Sequence, residues 1–497
     1  MSIETESKNV DIDVDAGFFT RDKLFIGGEW TDPVGRNRLE IINPATEEII
    51  GSIPEASQGD VDQAIACAVE SFDSGPWRKL TYAQRAEYLT RLADEIEARA
   101  NRVARAYVYD FGGTIRSGRS MAAGAAALVR AHVGYVAQLS DEPERVTVGN
   151  LEALLVRDPI GPVLGIVPWN TTFFIAMVKI APALLTGCPI IVKVAIESPM
   201  GSFVLAEAIE AAGIPAGQVS FLPGRRESLG EITKRPEFKY ISFTGSTPAG
   251  IEIMKDAAEN VTAVTMELGG KSAGIILDDL DPIDHAPLLF SGTMAQAGQI
   301  CTTYSRLLVP RAREAEWRTA LADYYDNLVV GDPADPATEV GPLVSAQHRS
   351  SVEKYIDIAR SEGATILAGG IRPPGLDRGY FVRPTLVADV TSDMRIVREE
   401  VFGPVITIQA YDSEEQAIEM ANDSEYGLAA GVFTASEERA IPIALRLDAG
   451  NISVNLSSGS FQLPFGGYKR SGIGREGGFA GVEELLEWKQ IQLKRTS

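Results

Sequence analysis

"YISFTGSTPAGIEIM", residues 240–254, is the stretch on which the fold turns. A mostly apolar run from Tyr240 to Thr244 passes into Gly245, Ser246 and Thr247, and a helical pattern with Gly250 in its first turn follows. Glycines at such a junction let backbone approach a ligand, and the free amides of the helix start attract phosphate. The stretch lacks a full G-x-G-x-x-G pattern, so a tight structural turn accounts for it equally well in isolation. Its surroundings separate the two.

Upstream stand "VLGIVPWN" (163–170), "IIVKVA" (190–195) and "VSFLPG" (219–224), and downstream "TAVTMELGG" (262–270), with starts 21 to 29 residues apart. Helical stretches such as "SFVLAEAIEAAG" (202–213) alternate with them. Alternation on this scale predicts a parallel sheet with helices on its faces, a Rossmann-type layout. A second series, "SAGIILDDL" (272–280), "SRLLVP" (305–310), "TILAGG" (365–370) and "GVFTAS" (431–436), predicts another α/β domain. Residues 57–140 read as helical: Val61, Ala64, Ile65, Ala68 and Phe72 share one face, and Thr81 is placed to cap the helix that follows it. "RVTVGNLEALLVRD" (145–158) reads as a hairpin turning at Gly149 and Asn150, and "WKQIQLK" (488–494) as a strand. Both are candidates to pair across subunits, because an unpaired edge strand is a liability.

The chain has 497 residues, 45% hydrophobic, with 68 acidic against 46 basic side chains and a net charge of -22. Such a surface repels a phosphate backbone, so nucleic acid is not an expected partner. No apolar run approaches the ~18 residues of a membrane span. The acidic start "MSIETESKNVDIDVDAGFF" is neither a secretory signal nor a transit peptide, and the cysteines (Cys67, Cys188, Cys301) are too scattered for a disulfide framework or a zinc site. A cytoplasmic protein without membrane segments or metal is expected.

Four stretches could carry chemistry. "AGQICTTYSR" (297–306) sets Cys301 between glycine-rich and threonine-rich neighbours; it is a nucleophile or a small buried hydrophobe. "MELGGKS" (266–272) ends an apolar run on Glu267, which is a solvated carboxylate or a buried general base. "VPWN" ends on Asn170, a turn former or an amide donor to an oxyanion. "REEVFGPV" (398–405) supplies Glu399, Glu400 and Phe402, able to hold a sugar diol and stack on a flat heterocycle, or simply a charged surface before a core aromatic. A cysteine hydrolase needs a histidine base, and His132, His285 and His348 stand in no such signature. A zinc dehydrogenase needs ligand clusters that the spacing does not provide.

Together "FTGS", "ELGGKS", "GQIC" and "EEVFGPV", with "NPATEE" (43–48) and "PFGGYKRSGIGRE" (464–476), resemble the aldehyde dehydrogenase superfamily of the NAD(P)-dependent hydrolytic type over nearly the whole chain. The resemblance implies Cys301 as nucleophile, Glu267 as base and Asn170 as oxyanion donor with the Cys301 amide. It further implies Lys179 as support of the asparagine network and Glu476 as a proton-relay carboxylate. For the cofactor it implies Pro168, Trp169, Lys193, Glu197, Gly245, Ser246, Leu268, Glu400 and Phe402. It implies a dinucleotide-binding domain over 20–139 and 159–268, a catalytic domain over 269–478, and a small β oligomerisation arm over 140–158 and 479–497 that builds a dimer or tetramer.

Departures from the family pattern bear on specificity. Ile196 stands where NAD-preferring relatives place a carboxylate, with Glu197 one residue later; NAD is expected, with NADP possible. Thr171 and Thr172 follow Asn170, Val178 precedes Lys179 and Gly459 stands at a commonly aromatic position, while Phe465 is retained. The missing rings predict a widened tunnel for a bulky aldehyde. Two alternatives stay open: acyl transfer to coenzyme A, and a catalytically silent binding or structural protein of the same fold.

Overall fold

A computed structural model describes residues 16–457 and 459–494. Most of the acidic amino-terminal stretch, and residues 495–497 of the expected arm, lie outside them. The five apolar runs form β1 (Val163–Ile166), β2 (Ile190–Val194), β3 (Val219–Pro223), β4 (Tyr240–Thr244) and β5 (Ala263–Glu267). They pair parallel in the order β3-β2-β1-β4-β5. Leu24–Ile26 and Glu29–Thr31 extend one edge antiparallel, and Gly472–Ile473 the other.

Successive side chains of a strand point to opposite faces, so this sheet feeds two cores. Val163, Ile190, Val192, Val219 and Phe221 join one; Leu164, Ile191, Leu222 and Ile241 join the other. Helices cover both faces: α1 (Ile115–Gly134), α2 (Thr172–Thr186) and α3 (Met200–Ala211) lie on the first. On the second, the helix Gln58–Ser74 buries Val61, Ala64, Ile65 and Ala68 as its spacing predicts. Phe72 is only half-buried, with the Arg78 guanidinium 4.5 Å from its ring centre. Thr81 caps the helix Tyr82–Ala98, its hydroxyl accepting from the Gln84 amide at 3.2 Å while the Gln84 side chain accepts from the Thr81 amide at 2.9 Å. α4 (Thr247–Ala258) begins immediately beyond β4.

The second series forms β6 (Ala273–Ile276), β7 (Arg306–Pro310), β8 (Thr365–Ala368), β9 (Thr385–Ala388), β10 (Val405–Tyr411), β11 (Ala429–Phe433) and β12 (Asn451–Val454). Their order is β8-β9-β10-β7-β6-β11-β12, parallel except for β8. The hairpin Glu144–Val148 and Leu151–Pro159 turns at Gly149, φ 60°, and Asn150. Leu486–Leu493 pairs antiparallel with the longer arm, closing a separate three-stranded sheet. Among the described residues no helix is long and apolar enough to cross a membrane.

Candidate active site

The chain runs from β1 to β3 in one direction and then crosses back to lay β4 on the other side of β1. At such a reversal the loops leaving the carboxyl ends of adjacent strands diverge and open a crevice. A cavity of about 600 Å³ occupies it, lined by Pro168, Trp169, Asn170 and Thr171 beyond β1, by Thr244, Gly245 and Ser246 at the end of β4, and by Glu267, Leu268 and Gly269 at the end of β5. The second α/β layer contributes Ile300, Cys301, Thr302, Glu400 and Phe402.

Cys301 is held there by an irregular approach. Gln296, Ala297 and Gly298 take positive φ in succession (54°, 55° and 69°), and a Cβ on Gly298 would lie 2.2 Å from the Gly403 carbonyl oxygen. Gln299 is buried and bonded throughout: its Oε1 accepts from the Val344 amide at 3.0 Å, its Nε2 donates to the Gln296 carbonyl at 2.9 Å, and its own carbonyl accepts from Asn170 Nδ2 at 2.8 Å. One amide hydrogen of Asn170 is thus pinned, and the side chain is oriented in the cavity wall. Burial, then the carboxylates Glu400 and Glu267, push the Cys301 thiol up to about 12; the backbone amides of Cys301 and Thr302 act in the opposite sense. The sulfur is therefore a thiol at neutral pH in the ligand-free chain, and attack requires a group to take its proton.

Glu267, the last residue of β5, is 3% exposed, and neither carboxylate oxygen has a hydrogen-bond partner among the described residues. Burial, and after it the negative Glu476, hold its pKa well above the usual carboxylate range; Lys179 and Arg475 pull it down. The two glycines beside it explain "ELGG". A Cβ on Gly269 would stand 2.1 Å from Glu400 Oε2, and one on Gly270 2.6 Å from the Cys301 carbonyl oxygen. Only glycine lets this turn touch both. The Gly270 amide donates to Glu400 Oε1 at 3.1 Å, and burial raises Glu400 to about 7. Glu399 faces away, bonded to Arg395 and Tyr355.

Lys179 departs from its expected place. Its ammonium donates to Ser242 Oγ (2.8 Å), Thr244 Oγ1 (2.9 Å) and Glu476 Oε1 (2.5 Å), which uses all three hydrogens and leaves none for Asn170. What it supports is the Glu476 carboxylate, which also accepts from Ser242, beneath the end of β4. Val178 also departs: it is buried in α2 and faces the small void around Lys179 and Glu476, whereas the cavity wall on α2 ends at Ile175. Nor is the tunnel stripped of rings. Phe174, Phe461 and Phe465 line it together with Gly124, Leu128 and Gly459, with Phe461 stacked on Phe465 at 4.1 Å and edge-on to Phe174 at 5.7 Å. Gly459, φ 91°, makes room for Phe465, since a Cβ there would lie 2.7 Å from that ring. The two additional phenylalanines, four residues after Asn170 and three before Pro464, were illegible in sequence because which side chain of a helix or loop faces the cavity depends on how α2 and the segment after β12 pack together.

Phe402 adopts φ 58°, uncommon for an aromatic residue, with its carbonyl 2.7 Å from His348 Nε2 and its ring edge-on to Trp169 at 5.3 Å. His348 lines the cavity too, so a histidine that no motif marked belongs to the site. Lys193 and Glu197 are not among the cavity-lining residues. Lys193 is the penultimate residue of β2, where burial lowers its pKa and the exposed Glu197 opposes the shift. Among the described residues no cluster of His, Cys, Asp and Glu could hold a metal ion.

Comparison with known proteins gives a consistent picture. The model of the "Aldehyde dehydrogenase family" matches residues 30–491. A geranial dehydrogenase of Castellaniella defragrans is 38% identical, the match covering 95% of this chain and 98% of that protein. A chloroplastic betaine aldehyde dehydrogenase of Amaranthus hypochondriacus is also 38% identical, over 94% and 95%. Among solved structures, a Mycobacterium tuberculosis aldehyde dehydrogenase complexed with NAD+ superposes with a TM-score of 0.92 at 40% identity, covering 95% of this chain and 98% of the other. A Staphylococcus aureus betaine aldehyde dehydrogenase in complex with NAD+ also gives 0.92, at 36% identity, over 95% and 94%.

Proposed function

The chain belongs to the aldehyde dehydrogenase family, and from that premise we propose that it oxidises a bulky, uncharged aldehyde to the carboxylic acid with a nicotinamide dinucleotide, NAD in preference to NADP. The observation that carries this reading is the convergence of Cys301, Asn170 and Glu267 on one cavity at the strand-order reversal.

The residues present fit the cofactor. Gly245 and Ser246 open the twelve-residue helix α4 toward the cavity, with Ser246 exposed and its hydroxyl uninvolved in capping, an arrangement suited to a pyrophosphate. Glu400, fixed by Gly270, would receive a ribose diol, and Phe402 with Trp169 and Leu268 would flank the nicotinamide ring. Lys193 and Glu197 would face the adenosine ribose, where the Glu197 charge disfavours a 2′-phosphate. When bound, the dinucleotide supplies the hydride acceptor.

The chain's own residues perform the remaining steps. Cys301 gives up its thiol proton to a base and its sulfur bonds the aldehyde carbon; the free hydrogen of the Asn170 amide and the Cys301 amide hold the oxyanion of the thiohemiacetal. After oxidation to the thioester, Glu267, its oxygens free and its pKa raised, takes a proton from water, and hydroxide replaces sulfur at the acyl carbon. The thiol and the carboxylic acid result.

Among the described residues no carboxylate other than Glu267 and Glu400 lines the cavity, and Leu128, Phe174, Ile175, Phe461 and Phe465 give it an apolar stretch of wall beside the uncharged Ser460 and Gln462. This favours an apolar chain, as the named substrate of the geranial dehydrogenase relative would be, over the cationic aldehydes of the betaine and aminoaldehyde relatives. The domain division given above is retained, and the exposed three-stranded sheet, with Val148 72% and Trp488 56% exposed, is the surface assigned to assembly of a dimer or tetramer. Three free cysteines agree with a reducing, cytoplasmic setting.

The test is nicotinamide absorbance over a panel of enals, alkanals and betaine aldehyde with NAD and NADP, with and without coenzyme A. Free acid from apolar aldehydes, absent in Cys301→Ser, is expected. An acyl thioester product would move the activity to coenzyme A acylation, and turnover confined to cationic aldehydes would overturn the substrate class.

A further inference from the structure

Between the helix Ala100–Ala106 and α1 the chain makes a π-type turn, Tyr107–Phe111, ended by Gly112 at φ 86°. Such turns are rare and gather at functional sites. This one carries Asp110, whose side chain is buried and serves none of the steps above. Its Oδ1 accepts from Ser198 Oγ at 3.0 Å and its Oδ2 from the Met200 backbone amide at 2.7 Å. Both donors belong to the turn that leaves β2 and starts α3, the turn on which Ile196 and Glu197 stand.

A buried carboxylate is costly unless hydrogen-bonded, so this one is a clamp and not filler. It grips a segment otherwise tied by the packing of Ile196 against the first core and by the Pro199 carbonyl, which accepts from the Ser202 amide at 3.0 Å and the Ser202 hydroxyl at 2.7 Å. Glu197 is exposed, and Pro199 provides no amide hydrogen. Asp110 also lines a small void with Tyr107, Asn170, Thr172, Ser198 and Gly201, behind the loops at the carboxyl ends of both β1 and β2. A Cβ on Gly201 would come within 3.1 Å of Phe173 Cβ, so the first turns of α2 and α3 are in close contact there.

We propose that Asp110 is a positioning residue for the adenosine side of the dinucleotide. It anchors residues 195–199 so that Glu197 presents a fixed surface to the ribose beside Lys193, which the pairing of β2 already holds. The inference rests on the reading above that a nicotinamide dinucleotide binds at the carboxyl ends of β1 and β2.

The test is calorimetric titration of NAD into the full-length protein without aldehyde, for the wild type, Asp110→Ala, Asp110→Asn and Ser198→Ala, followed by steady-state kinetics. Asp110→Ala removes the acceptor of two bonds and is expected to weaken NAD binding by about tenfold or more; Ser198→Ala removes one bond and is expected to weaken it by roughly threefold to tenfold. Asp110→Asn can accept from Met200 and donate to Ser198, and should stay within about threefold of wild type. At saturating NAD the kcat and the aldehyde KM should be preserved in all three, and so should the alkylation rate of Cys301, responses that general loosening of the fold would not spare. If Asp110→Ala does not fold, Ser198→Ala decides. Wild-type affinity in Ser198→Ala and in any folded Asp110→Ala overturns the inference alone, as does a kcat loss that saturating NAD does not restore. A wild type that binds no NAD overturns the cofactor reading and this inference with it.

Discussion

Removing the charge of Lys179 tests how the chain tunes its base. The Lys179 and Glu476 side chains are 1% and 7% exposed, and they meet at 2.5 Å with Ser242 and Thr244 completing the ammonium's bonds. Lys179→Met leaves the Glu476 carboxylate buried with Ser242 as its remaining donor; breaking a buried pair from one side costs about 3–5 kcal/mol. In Lys179→Met/Glu476→Gln no net charge is stranded, so the double variant should recover at least ~1 kcal/mol relative to the sum of the singles. Guanidinium denaturation followed by circular dichroism measures this. The catalytic consequence has a definite sign. Glu476 raises the Glu267 pKa and Lys179 lowers it, and Glu267 must be ionised to activate water. Activity therefore rises with pH through the Glu267 titration. Glu476→Gln should move that limb to lower pH and Lys179→Met to higher pH. Displacement of both limbs in the same direction, or additive stabilities in the cycle, would refute the reasoning.

Asn170→Ala removes an oxyanion donor without touching the sulfur, so turnover should drop by roughly 10²–10³ while iodoacetamide still alkylates Cys301. Glu267→Gln should halt the reaction after acylation, leaving an acyl adduct on Cys301 visible by mass spectrometry; undiminished steady turnover would remove Glu267 from its role. Gly124 and Phe174 both line the cavity and a Cβ on Gly124 would sit 3.7 Å from the Phe174 ring, so Gly124→Met should raise the KM of long apolar aldehydes by about tenfold or more and leave two-carbon aldehydes nearly unaffected. With the thiol pushed up to about 12, cofactor-free alkylation of Cys301 should keep accelerating with pH to at least 10, without a plateau near neutrality.

The five parallel strands, the capped helix after Thr81 and the hairpin at Gly149 were legible because each is written in consecutive residues: alternating apolar runs, a hydroxyl before a helix, a turn dipeptide. Motif resemblance likewise located Cys301, Glu267, Asn170, Glu400 and Phe402, and the fold brings all five to one cavity. Other features were beyond local reading. The hydrogen bond from Asn170 to Gln299 joins residues 129 apart, that from Gly270 to Glu400 joins residues 130 apart, and the Lys179–Glu476 pair spans 297. Val178 and Phe174 share one helix, yet only Phe174 reaches the tunnel, because the cavity stops at Ile175. Periodicity fixes which face of an element is apolar, but which apolar face meets substrate and which carboxylate meets an ammonium depend on where distant segments pack, and that is settled only when the layers close on one another.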